Sequence, residues 1–144
     1  MSERGPKRAQ LERLALRSVE IIARGQAASG AYLASPNFPV YRYSWFRDGA
    51  FIADAMSRAG EVASAEAFFA WCARILEARG EQIEALIARR RAGVTIETGE
   101  FLHARYTVDG RETGEEWTDF QLDGYGAWLW ALDEHRQRHG RSIE

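Results

Sequence analysis

Two short stretches crowd aromatic rings together with polar side chains able to do chemistry. "YRYSWFRDG", residues 41–49, places Tyr41, Tyr43, Trp45, Arg47 and Asp48 at the mouth of an apolar helical pattern. "EEWTDFQLDGYGAWLW", residues 115–130, repeats the arrangement with Trp117, Gln121 and Asp123. Taken singly, each has a plain account. Asp48 or Asp123 caps a helix, Trp117 is a core ring, Gln121 lies on the surface, and Arg47 pairs with a neighbouring carboxylate. Taken together they suit a carbohydrate. A sugar ring offers C–H faces that stack on Trp and Tyr, and its hydroxyls want both donors and acceptors. Arginine is a rigid donor fork and aspartate an acceptor, so an Arg-Asp pair can hold two neighbouring hydroxyls. Loops over helix ends are also where binding groups concentrate.

The elements that must position these residues are helical. Leu11, Leu14, Ala15, Val19 and Ile22 recur at helical spacing, which predicts a helix over 8–24 stopped by Gly25. Residues 26–45 form a long connection without a clear period, a length that is often functional. A second helix is predicted from Arg47 to Ala59, with Phe51, Ile52, Ala55, Met56 and Ala59 inward, and a third over 62–79, with Ala65, Phe68, Phe69, Cys72, Ile75 and Leu76 inward. So short a junction at Gly60 makes 47–79 an antiparallel helical hairpin. A fourth piece, 81–91, carries Ile83, Leu86 and Ile87. Residues 93–116 contain β-branched residues and a "DG" pair, which predicts a loop or irregular hairpin. The last helix begins at Gln121 or Asp123 and runs to Arg138, with Tyr125, Trp128, Leu129 and Leu132 inward. Gly124 and Gly126 weaken its first turn, which predicts a close backbone approach there. The fold class expected is all-α.

Composition removes several function classes. With 46% hydrophobic residues the 144-residue chain can bury a core, and a net charge of −2 does not fit a nucleic-acid-binding surface. "RRR" at 89–91 reads as a solvated helix C-terminus, where cations suit the dipole. The N-terminus lacks a signal-peptide run and no stretch is apolar enough to span a bilayer, so the expectation is a cytoplasmic protein without membrane contact. Cys72 reads as a small core residue. His103, a lone histidine, reads as structural. His135 and His139 stand at i and i+4, but beside "RQRHGR" they read as a solvated helix end without a third metal ligand. No metal or other cofactor is expected.

"YRYSWFRDGAFIADAMSRAG" and "EWTDFQLDGYGAWLWAL" resemble the glucoamylase-type enzymes of glycoside hydrolase family 15, through a W-x-R-D turn and a W-x-x-x-Q-x-D-G turn in the family's order. "SGAYLASP" resembles the segment leading into the first motif, and the likeness covers roughly residues 10–135. The resemblance implies an (α/α)6 barrel, an α/α toroid made of helical hairpins, with an active-site pocket built from loops at one end. It implies that Tyr41, Trp45, Arg47 and Asp48 line the innermost sugar subsite. It further implies that Trp117 packs against substrate, and that Gln121 and Asp123 form or support the pocket wall. The expected activity is release of glucose from the non-reducing ends of α-glucoside oligosaccharides by inverting hydrolysis.

That reaction needs two carboxylates roughly 6.5–9.5 Å apart. The resemblance places both glutamates beyond the second motif, so the general acid and general base are expected downstream of this chain. Glu115 and Glu116 precede the second motif and read as loop carboxylates. The expected organisation is therefore a tail over 1–9 and an incomplete N-terminal portion of the catalytic barrel over 10–144. Four or five helices would leave apolar edges that call for the missing C-terminal half or for self-association. This chain alone is expected to be inactive. The alternative is a non-catalytic helical sugar-binding or regulatory module related to the family.

Overall fold

Helical periodicity is realised in five helices among the described residues, 4–112 and 120–140 of the computed structural model. They are α1 (Arg4–Gly25), α2 (Phe46–Arg58), α3 (Val62–Glu77), α4 (Gly80–Arg91) and α5 (Leu122–His139). Two strands, β1 (Ser44–Trp45) and β2 (Arg105–Tyr106), pair antiparallel with Ser44 opposite Tyr106 and Trp45 opposite Arg105. None of the described helices is long and apolar enough to cross a membrane.

The core is a three-helix packing in which α2 lies against both α3 and α5. The expected α2–α3 hairpin forms, with only residues 59–61 between the helices. Its α3 face is the one predicted: Ala65, Phe68, Phe69, Cys72 and Ile75 are buried, and Leu76 packs against them. Burial also pushes the Cys72 thiol well up, as befits an inert core residue.

The α2 face differs from the expectation. Phe51 is 57% exposed and meets the Trp130 ring at a tilt, centroids 5.6 Å apart, while Phe46, Gly49, Ala50, Ala53, Asp54, Met56 and Ser57 are buried. A helix clamped on two sides buries its small residues, because these let two neighbouring backbones approach. On α5, Leu129 is exposed and Ala131 is buried, with Tyr125, Trp128 and Leu132 packed against the core as expected.

The stripe expected on α1 is only half used. Val19 and Ile22 pack on the core, but Leu11 and Leu14 are exposed. Among the described residues α1 is supported instead by surface pairs such as Arg8–Glu12. Helix α4 likewise buries none of its residues, and Ile83, Leu86 and Ile87 line an apolar groove of about 880 Å³ with Phe101, Leu102 and Phe120. Its terminal arginines are exposed as expected, with Arg89 paired to Glu100.

Candidate functional site

The two aromatic-polar motifs converge where α2 and α5 begin. A Cβ placed on Gly124 would meet the backbone nitrogen of Arg47 and the Phe46 Cβ at 3.4 Å, ordinary van der Waals contact, so the first turns of α2 and α5 pack closely here. The expected close approach is thus made at Gly124. Gly126 has open space and makes none.

Neither aspartate is a cap. Trp45 precedes α2 and Gln121 precedes α5, both extended and without a side-chain cap, while Asp48 and Asp123 sit inside the first turns. There the helix N-terminus favours a carboxylate. The convergence brings Arg47 Nη1 to 2.8 Å from Asp123 Oδ2, against 3.8 Å between Arg47 Nε and Asp48 Oδ2. Arginine of the first motif therefore pairs chiefly across to the second. The contact holds the Asp123 carboxyl below its ordinary range and the Arg47 guanidinium above its own. Both side chains keep about half their surface in solvent, so the pair stays available to a ligand's hydroxyls and contributes little to stability.

Aromatic rings flank this pair. Tyr41, half-exposed at the end of a single 3-10 turn (Pro39–Tyr41), and Tyr43 each lie 6.2 Å from the Trp45 ring. Behind them the phenols of Tyr106 and Tyr125 meet at 3.3 Å, and Tyr125 donates to the His103 carbonyl. Burial pushes both phenols up, so they serve as fixed hydrogen-bonding props. Of the seven residues named from the sequence, Tyr41, Trp45, Arg47, Asp48, Gln121 and Asp123 gather at this end. Trp117 lies outside the described residues, as do Glu115 and Glu116. Arg105 was missed: it comes from the 93–116 segment, and only the β1–β2 ladder brings it under the rings. Its one signal was a charged residue within an otherwise β-prone run.

The pair His135 and His139 corrects another expectation. His135 is fully buried rather than solvated, with Nδ1 2.8 Å from Ser57 Oγ and Nε2 3.6 Å from Glu66 Oε1. The last turns of α5 lie in the seam of α2 and α3, so the i, i+4 face points into the protein. Ser, His and Glu have the residue types of a hydrolytic triad, but Ser57 is buried and already accepts from Arg138 Nη1 at 2.6 Å. No substrate reaches it. The polar groups around His135 are Ser57 from α2, Glu66 from α3, and Arg138 and His139 from α5. Among the described residues no group of acidic, histidine and cysteine side chains is placed to hold a metal ion.

Burial and the neighbouring His139 hold the His135 imidazole below its ordinary range. The unfolded chain therefore takes up a proton near pH 6.5, where the folded chain resists it. Stability is expected to be full above that pH and to fall as the pH drops through the depressed folded value. Urea midpoints at pH 7.5 and 5.5 test this, with His135→Gln expected to flatten the difference. A midpoint that rises with acid would reject it.

The model of the family described as glycosyl hydrolases family 15 matches residues 11–140. The chain belongs to that family. An isomaltose glucohydrolase of Kribbella flavida is 44% identical over 137 residues, 94% of this chain and 36% of that protein. A solved glycosidase in complex with glucose superposes with a TM-score of 0.91 at 42% identity, covering 95% of this chain and 37% of its own. The wild-type glycosidase gives 0.90 at 42% identity. This family 15 chain thus spans little more than a third of the length of the relatives it matches. Its helices form part of an all-α toroid of helical hairpins, a partial (α/α)6 barrel.

Proposed function

We propose that this family 15 chain carries the subsite for the non-reducing glucosyl unit of an exo-acting, inverting α-glucosidase. The observation that carries the reading is the 2.8 Å contact between Arg47 and Asp123, which joins the two motifs at adjacent helix N-termini beside Tyr41 and Trp45. In this reading Arg47 donates to sugar hydroxyls and Asp48 accepts from them. Trp45 and Tyr41 stack on the C–H faces, and Gln121 and Asp123 complete or support the wall. The similarity to an isomaltose glucohydrolase favours an α-1,6-linked substrate.

Hydrolysis then follows the two-carboxylate course. One carboxylic acid gives its proton to the glycosidic oxygen as the bond to C1 breaks. A second carboxylate takes a proton from water as the water oxygen bonds C1 from the opposite face, inverting the anomer. Both carboxylates belong to parts of the barrel outside this chain, so the chain alone binds glucose and does not turn isomaltose over.

The test is glucose titration followed by tryptophan fluorescence. Arg47→Ala is expected to weaken binding roughly 10- to 100-fold, since it removes charged hydrogen bonds to the ligand. Its Tm should move by less than about 2 °C, because an exposed pair stabilises little. The reverse pattern, a lowered Tm with no sugar binding by the wild type, would make the motifs plain helix starts.

A further inference from the structure

Arg105 is among the largest fully buried side chains of the described residues, with 1% of its surface exposed. It is paired in register with Trp45, and its guanidinium carbon lies 4.6 Å from the Tyr43 ring centroid and 5.5 Å from that of Trp45. An apolar or aromatic cross-strand partner would join the strands without desolvating a cation. What arginine adds is a rigid, weakly hydrated plane that stacks on ring faces.

Trp45 needs such support. It is the residue before α2, half-buried, and β1 ends with it. Its ring neighbours meet it obliquely, Tyr41 tilted at 50° and Tyr43 edge-on at 77°, so neither contact lies flat on the indole. A recognition surface that must hold its ligand within roughly 10–20° depends on such second contacts. Electronics do not explain the arrangement. A cation against a ring draws on the same π-cloud that attracts sugar C–H groups, so its benefit to binding is orientation.

We propose that Arg105 is a positioning residue for the sugar subsite, its guanidinium fixing the planes of Trp45 and Tyr43 so that Trp45 presents its ring to the glucosyl unit. This rests on the reading of the site given under Proposed function. It makes the 93–116 segment, through one side chain, part of the determinants of sugar affinity.

The experiment compares wild type, Arg105→Met and Arg105→Lys by glucose titration, Tm and near-ultraviolet circular dichroism, with Trp45→Phe marking the indole's share of the spectrum. Arg105→Met is expected to weaken glucose binding about tenfold. Arg105→Lys keeps the charge and loses the plane. It should therefore regain Tm yet remain several-fold weak in binding, with the Trp45 signal diminished. Wild-type affinity and spectrum in Arg105→Lys would overturn the proposal, and would do so even if Arg105→Met failed to fold. Affinity that merely follows Tm in both variants would also overturn it, leaving a structural arginine. A wild type that binds no glucose would sink the sugar-site reading itself. Binding that is unaffected in the variants would sink only the role of Arg105.

Discussion

Phe46→Ala is expected to lower stability by about 3–5 kcal/mol, the range for removing a large ring from a packed core. Phe46 is fully buried, and its ring centroid lies 4.8 Å from Tyr125, 5.9 Å from both Trp71 and Tyr106, and 6.1 Å from Trp128. These rings come from α3, β2 and α5, so a cavity here loosens the packing around the first turn of α2. Domains are typically stable by only about 5–15 kcal/mol, so the variant should approach global unfolding. Phe46 is also flanked by Trp45 and Arg47, so sugar affinity should drop with it. Urea denaturation measures the first effect. A loss below about 1 kcal/mol would show that the ring cluster relaxes around the gap.

Gly30→Ala should be nearly as damaging, at roughly 3 kcal/mol or more, from backbone strain together with overpacking. Gly30 has φ of +99°, a region L-residues rarely adopt, and a Cβ there would fall 2.2 Å from the Ala67 carbonyl oxygen. Backbone oxygen inside α3 cannot move aside as a flexible side chain would. The turn is bolted in place as well. Gln26 donates to the Gly30 and Ser64 carbonyls at 2.9 Å, and the Tyr32 hydroxyl meets Ser64 Oγ at 2.6 Å. Release of this turn would free the whole 26–45 connection that leads to Tyr41 and Trp45. Thermal unfolding of Gly30→Ala tests it, and an unchanged Tm would mean that the turn contributes nothing to the frame.

Much of the frame was legible. Helices α2 through α5 begin and end within about two residues of where periodicity and glycines put them, because 3.6-residue repeats and C-terminal glycines are local signals. Inward faces were less so. Phe51 and Leu129 point out and Ala53 and Ala131 point in, since which side of a helix meets its neighbours is set by tertiary packing rather than by periodicity alone. His135 was hidden by its charged neighbours in sequence, which lie on other faces of the same helix.

By itself the sequence determined which aromatic and polar residues stand together at the starts of two helices. Tyr41, Trp45, Arg47 and Asp48 are bound together by adjacency at one helix start, and Gln121 with Asp123 at another. It also determined the family, through two motifs in order, as the match over residues 11–140 bears out. Tertiary structure alone decided that Arg47 pairs with Asp123, 76 residues away, more closely than with its neighbour Asp48. It alone put Arg105 against Tyr43 and Trp45, and His135 beside Ser57 and Glu66. The reason is physical. Local spacing fixes what one helix turn or one loop can present, whereas a partner from elsewhere in the chain is set by how helices pack and strands register, and no single stretch encodes that.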